Sequence, residues 1–396
     1  MRQLIASALL AGAVGATSTF AATGVIPEPP PIASKSHILM DAETLTVMSE
    51  HDADAPLPPA SLTKIMTSYV AASELASGRI ATDDDVPISV KAWRTGGSKM
   101  FVREGTTVKL IDLLRGIVIQ SGNDASVAVA EYIGGGEDAF ADMMNHEARA
   151  LGMPSTRFVN STGLPDDGHH SSARDMAKLS AALIKRFPDH YRLYAEKSFQ
   201  YGEIERPQYN RNKLLWRDKS VDGVKTGLTE AAGYCLVASA LRDGTRLIAV
   251  VMGAESDEQR NRDAQKLLAY GFRYFQTREL FGADALVASP QVWYGTVDSV
   301  DVTLREPVRV TVPRGNAGNV EAVVDLPQDL EAPIATGDIV GTLRVALEGE
   351  VLLERPLVAR TEVPEAGFFE KLWDGIRLMF KNLFSDDSPD AQQPVG

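Results

Sequence analysis

A serine and a lysine three residues apart, Ser61 and Lys64, form a pair whose chemistry depends on spacing. On a helix, positions i and i+3 share a face, so the hydroxyl and the amine fall within hydrogen-bond reach. A serine hydroxyl becomes an effective nucleophile when a base takes its proton. A lysine is that base only when neutral, and its free pKa is about 10.4. Burial and a second nearby cation both lower that value. Two more short motifs follow, Ser121-Gly122-Asn123 and Lys225-Thr226-Gly227. The second lies in a strand-like stretch and makes Lys225 the candidate second cation. Pro56, Pro58 and Pro59 favour a helix start at Ser61, whose backbone N–H would then point at a developing oxyanion.

These residues need elements to hold them. Leu62, Ile65, Met66, Tyr69 and Val70 recur at helical spacing, which predicts a helix from Ser61. Helical patterns continue through VKLIDLLRGIVIQ, NDASVAVAEYI and EDAFADMMNHEARALG, the last closing on Gly152 as a C′ glycine, then ARDMAKLSAALIKRF and RDAQKLLAYGFRYF. GYCLVASAL and TRLIAVVMGA flank Arg-Asp-Gly and read as a buried hairpin. HILMDAETLTVMSE reads as two short strands around a turn. Residues 36–281 therefore form one α/β (α+β) domain. From 282 to 363, short alternating runs split by Gly, Pro and Asp predict a small all-β, sandwich-like domain.

The ends differ from both domains. Residues 1–21 run from Arg2 through LIASALLAGAVGA to small residues ending at Ala21, the order of a secretory signal peptide. Residues 22–35 contain PEPPP and read as an extended linker. In 364–396, Phe368, Phe369, Leu372, Trp373, Ile376, Met379, Phe380, Leu383 and Phe384 fall on one arc of about 160° of a helix. Glu370, Lys371, Asp374, Arg377 and Lys381 face the other way, and SDDSPDAQQPVG follows as a polar tail.

Composition excludes several classes. A formal charge of −13 gives no basic face for nucleic acid. The single Cys235 makes no internal disulfide or thiolate metal site and reads as a buried strand residue. The six histidines contain no H-E-x-x-H, so neither a metal nor another cofactor is implied.

Alone, each motif has an ordinary reading: a solvated helix face, a turn, a strand end. Together and in this order they match the set of penicillin-binding proteins and class A β-lactamases. The chain resembles the low-molecular-mass penicillin-binding proteins that act as D-alanyl-D-alanine carboxypeptidases, over nearly everything after residue 21. GGSKMF (Gly96–Phe101), MNHEARALGMPSTRFVNSTGL (Met144–Leu164), HSSARDMAKL (His170–Leu179), NRNKLLW (Asn210–Trp216) and VDGVKTG carry the resemblance beyond the motifs. It implies a penicilloyl-serine-transferase-type catalytic domain, a small β domain and a C-terminal amphipathic anchor at the membrane surface. It further implies Ser61 as nucleophile, Lys64 as base and Ser121 as proton relay to the leaving amine. Asn123 holds the substrate backbone, and Lys225 supplies charge. Thr226 and Gly227 line the substrate strand, and Thr226 with Arg260 receives a terminal carboxylate. The N–H groups of Ser61 and Leu228 form the oxyanion hole. Leu228 stands where several relatives carry histidine or threonine, so a backbone role survives there and a side-chain role does not. The implied substrate is a peptidoglycan stem peptide ending in D-Ala-D-Ala, with β-lactams as covalent inhibitors. The implied location is beyond the cytoplasmic membrane, in the periplasm, peripherally attached to the inner membrane. A class A β-lactamase needs a glutamate in E-x-x-L-N, which is missing here. A D,D-endopeptidase shares every motif and is separated only by substrate.

Overall fold

The structure, a computed structural model, describes residues 26–384 other than 203 and 205, together with 393–394. The expected signal segment, the start of the linker and nearly all of the polar tail lie outside the described residues.

Five strands form one antiparallel sheet, in the order Val47–His51, Ser36–Asp41, Thr245–Ala254, Gly233–Arg242, Val221–Thr229. Arg242 pairs with Thr245 across Asp243 and Gly244, both at positive φ. That is the left-handed pair a two-residue turn between right-twisted strands requires. The run from Leu247 to Met252 is continuous because both its faces are covered. Ile248, Val250 and Met252 pack with helix Ala173–Arg186, and Leu247, Ala249 and Val251 pack with helix Asp257–Tyr274.

Helix Lys64–Ala76 runs through the core and is buried on nearly every side over its first two turns. Around it lie Leu110–Arg115, continued by a π turn over Gly116–Gln120, then Asn123–Gly134 and Glu137–Ala150. Gly152, at φ +65, closes the last of these, and the Met153 N–H reaches the Ala148 carbonyl at 3.0 Å. One local element differs from expectation. Ala60–Thr63 is a 3₁₀ turn, and the α-helix begins only at Lys64. Pro58 and Pro59 stiffen the approach, and Ala60 at φ +49 reverses the chain, so the tighter helix form carries Ser61.

The first domain also ends earlier than expected. Strand Phe275–Phe281 follows helix Asp257–Tyr274 directly and pairs antiparallel with Val308–Pro313. The chain therefore enters the second unit at 275 and not at 282. No turn residue separates helix from strand, so sequence pattern alone joins Phe275–Phe281 to what precedes it. The second unit also contains a sheet ordered Leu286–Ala288, Val302–Thr303, Glu350–Ala359, Ile339–Leu347, Val320–Asp325. Val302, Val310, Leu343, Val345 and Leu357 fill its core. It meets the first domain through polar contacts: Thr277 donates to Asp41 at 2.5 Å, and Thr44 bonds Thr311 at 2.7 Å. The last helix, Phe368–Phe384, touches the β unit with its polar side, where the Tyr294 N–H donates to Asp374 at 3.0 Å.

Loop 160–164 backs the Ser61 turn. Asn160 Oδ1 accepts the N–H groups of Thr162 and Gly163 and the Thr162 hydroxyl. Gly163 adopts φ +80, and a Cβ there would sit 1.8 Å from the Ala60 carbonyl oxygen. Gly152→Ala meets nothing within 4 Å and carries only the left-handed cost. Gly163→Ala should therefore be less stable than Gly152→Ala by at least about 1–3 kcal/mol, the scale of overpacking. Denaturant unfolding of both variants measures this, and equal stabilities would show that the loop yields freely.

Candidate active site

Three separate segments deliver the motif residues to one place. Ser61 lies in the 3₁₀ turn, Asn123 opens helix Asn123–Gly134, and Lys225-Thr226-Gly227 lies on the outer strand Val221–Thr229. Gly227 allows the strand to approach the turn closely. A Cβ there would be 3.0 Å from the Pro59 carbonyl oxygen and 3.3 Å from Ser61 N. Leu228, the next residue, keeps an exposed side chain, and its N–H lies in the same strand.

The Lys64 side chain is 1% exposed. Its Nζ lies 3.1 Å from Ser61 Oγ, 2.7 Å from Asn123 Oδ1 and 2.5 Å from the Thr162 carbonyl oxygen. Burial first and then the Arg211 charge pull its pKa down to about 7, with Asp124 opposing both. The chemistry follows from counting protons. A neutral amine has two N–H groups and one lone pair. The amide oxygen of Asn123 and the carbonyl of Thr162 can only accept, so they take both N–H groups. The lone pair is left for the Ser61 hydroxyl. Asn123 is held in this orientation because its Nδ2 donates to the Gly96 carbonyl at 2.7 Å. Thr162 is held by its loop and by Thr67, whose hydroxyl donates to the Ser161 carbonyl at 2.7 Å.

Lys225 is also buried, with its Nζ 3.1 Å from the Thr226 carbonyl oxygen. Burial, then Lys64, Arg211 and Arg260, hold its pKa well below the usual lysine value. Lys64 and Lys225 thus repel one another, but burial and Arg211 lower Lys64 where the sequence pointed to Lys225. Ser121 adopts φ +63 after the π turn, and its buried hydroxyl has no hydrogen-bond partner among the described residues. A buried, unpartnered hydroxyl costs free energy unless a ligand meets it. Arg260 is committed behind the strand. It donates to the Gly227 and Cys235 carbonyls at 2.9 and 3.2 Å and to Asp257 at 2.5 Å. It therefore fixes the Thr226-Gly227 backbone as well as adding charge.

Several contributors were not singled out from sequence. Thr162 acts through a backbone carbonyl, which residue type does not reveal. Asp124 is wholly buried and accepts the N–H groups of Met100, Phe101 and Val102. Arg211 lies inside the NRNKLLW stretch with no role attached. Its neighbours Asn210 and Asn212 are buried, and Asn212 donates to the Gly223 carbonyl at 2.9 Å. Arg211 itself is exposed and makes no ion pair or side-chain hydrogen bond among the described residues.

Known proteins resemble this chain over most of its length. A family model described as D-alanyl-D-alanine carboxypeptidase matches residues 23–256, and one for the C-terminal domain of penicillin-binding protein 5 matches 275–365. The chain is 41% identical over 377 residues to D-alanyl-D-alanine carboxypeptidase DacC of Escherichia coli, covering 93% of this chain and 94% of the relative. It is 42% identical over 368 residues to DacA of the same organism, covering 91% of each. The solved structure of penicillin-binding protein 5 from Haemophilus influenzae superposes with a TM-score of 0.81 at 39% identity, covering 86% of this chain and all of that one.

Because Lys64 is depressed to about 7, its neutral form predominates above that pH and its charged form below it. The second-order rate of Ser61 acylation by a penicillin should fall about tenfold per pH unit below about 7 and level off above it. Lys64→Arg should lose at least about 10²-fold at every pH, since guanidinium does not deprotonate. Stopped-flow acylation across pH 5–9 reads both. A flat profile, or an active Lys64→Arg enzyme, would mean that Lys64 contributes charge alone.

Proposed function

The chain belongs to the D-alanyl-D-alanine carboxypeptidase family of serine peptidases, and from that premise we propose how its own residues carry out the reaction. It is a serine-type carboxypeptidase that releases the terminal D-alanine of peptidoglycan stem peptides and is acylated by penicillins. One observation carries the assignment of roles: Lys64 Nζ lies 3.1 Å from Ser61 Oγ, and in its neutral form the two pure acceptors, Asn123 Oδ1 and the Thr162 carbonyl, leave its lone pair to that hydroxyl.

Ser61 Oγ attacks the carbonyl carbon of the penultimate D-alanine as its proton passes to Lys64 Nζ. The oxyanion is received by the N–H groups of Ser61 and Leu228. The terminal carboxylate sits at the Thr226 hydroxyl, on the strand that Arg260 braces, with Arg211 adding positive charge at the mouth. Ser121 passes its proton to the amine of the departing D-alanine and receives in exchange the proton that Lys64 holds, which leaves Lys64 neutral, and Lys225 supports the relay with charge. The C–N bond breaks and leaves an acyl ester on Ser61. Water then attacks that ester; neutral Lys64 takes its proton and returns it to Ser61 Oγ as the acyl–oxygen bond breaks, which regenerates the hydroxyl. Asn123 both orients Lys64 and binds the peptide backbone.

The position of the last helix supports attachment to a membrane surface. Its polar side is used on the β unit, through Asp374 and Tyr294, while Phe369 and Trp373 remain 83% and 63% exposed. Seventeen residues span about 25 Å, short of the roughly 30 Å hydrocarbon core. Among the described residues, no helix is long and apolar enough to cross a membrane. An apolar arc rich in Phe and Trp suits the interface. Together with 1–21 read as a cleaved signal segment, these features support a location on the periplasmic face of the inner membrane.

Ser61→Ala should abolish the covalent penicillin adduct and D-alanine release together while leaving thermal unfolding unchanged. An adduct on that variant, detected by intact mass, would move the nucleophile elsewhere. Truncation after Val363 should abolish co-flotation with anionic vesicles and leave turnover of a small soluble peptide unaltered. If both forms float equally, or neither does, the helix is not the anchor.

A further inference from the structure

Phe101 combines two unfavourable features. Its backbone is left-handed, at φ +71, and its ring is 61% exposed. A left-handed conformation is rare for an aromatic residue, and an exposed ring recovers little by burial. Such outliers persist only when the surroundings over-determine them, and they cluster at functional sites. Here the surroundings are explicit. The buried Asp124 carboxylate accepts the Met100, Phe101 and Val102 N–H groups at 2.9, 2.8 and 3.2 Å, and Met100 and Val102 are buried on either side.

The same segment begins at the active site. The Gly96 carbonyl accepts from Asn123 Nδ2, and the Ser98 carbonyl accepts from Asn123 N, each at 2.7 Å. On the other flank, Gln208 Nε2 donates to the Met100 carbonyl at 3.2 Å. The residue after Gln208 is Tyr209, also 61% exposed, and Arg211 lies two positions further. Two exposed aromatic rings are thus presented from adjoining segments on the Asn123 side of the site.

The proposed roles give this side a meaning. The terminal carboxylate lies toward Thr226, so the acyl part of the substrate leaves along Asn123. We infer that Phe101 and Tyr209 form a platform for the stem-peptide residues upstream of D-Ala-D-Ala. Their ring faces pack on the peptide's aliphatic side chains and amide planes. This rests on the carboxypeptidase reading given above.

Phe101→Gly supplies the test, because glycine accepts a left-handed backbone. Relief of the φ cost offsets the greater freedom of the unfolded chain, so the unfolding midpoint should stay near that of the wild type. Penicillin acylation of Ser61 should also persist. The KM for a free pentapeptide should rise about threefold to tenfold, the scale of one aromatic contact, while kcat holds. An acetylated D-Ala-D-Ala dipeptide, too short to reach the rim, should show no change, and Phe101→Trp should restore the pentapeptide KM. Tyr209→Ala should show the same substrate dependence. An unchanged pentapeptide KM in Phe101→Gly would overturn the platform. So would equal losses on both substrates, or a loss confined to sugar-bearing muropeptides. Wild-type protein that releases D-alanine from neither substrate would overturn the carboxypeptidase reading and this one with it, whereas the other outcomes leave that reading standing.

Discussion

The structure depends on keeping one amine neutral and aimed. Lys64 is buried, so its charged form is penalised, and burial is the largest of the effects that bring its pKa to about 7. Burial alone would leave the lone pair undirected. Two acceptors without protons, Asn123 Oδ1 and the Thr162 carbonyl, occupy both N–H groups and turn the remaining valence toward Ser61. The surrounding structure can be understood as what holds those two oxygens in place.

Each oxygen has its own support. Asn123 opens a helix, and the neighbouring Asp124 ties the loop over Met100–Val102, so one helix start fixes both the amide and the wall beside it. Thr162 belongs to a loop folded on Asn160 and pressed against Ala60, which leaves no space for a side chain at 163. The third wall is the outer strand, held from behind by Arg260 and brought close to the turn by Gly227. Arg211 and Arg260 add positive charge beside the two amines Lys64 and Lys225, whose charged forms burial disfavours, with Asp124 and Asp257 as the nearby anions. A substrate carboxylate is the natural complement to that excess.

The β unit and last helix follow a different logic. The domains meet through Thr277, Asp41, Thr44 and Thr311, polar groups suited to a fixed but solvated joint. The helix then uses its charged side on protein and leaves its apolar side outward. That is the reverse of a helix docked on a core.

Much of this was legible in the sequence. Period-3.6 and period-2 patterns gave the helices and the hairpin, because a buried face demands apolar residues at regular intervals whatever lies opposite. The paired Ser61 and Lys64, and the order of the three motifs, were legible because spacing on a helix is local geometry. The domain crossing at 275 was not, since Phe275–Phe281 shows its partner, Val308–Pro313, only in three dimensions. Nor were Thr162 and Gly163, which act through backbone and missing volume. Arg211 was visible as a residue but not as a charge on Lys64, and Phe101 gave no sign of a left-handed backbone. By itself, then, the sequence determined which elements form and which side chains to look for at one site. Only the tertiary structure decided that both amines are buried and which oxygens surround Lys64 Nζ, because desolvation and hydrogen-bond direction are properties of surroundings assembled from distant segments.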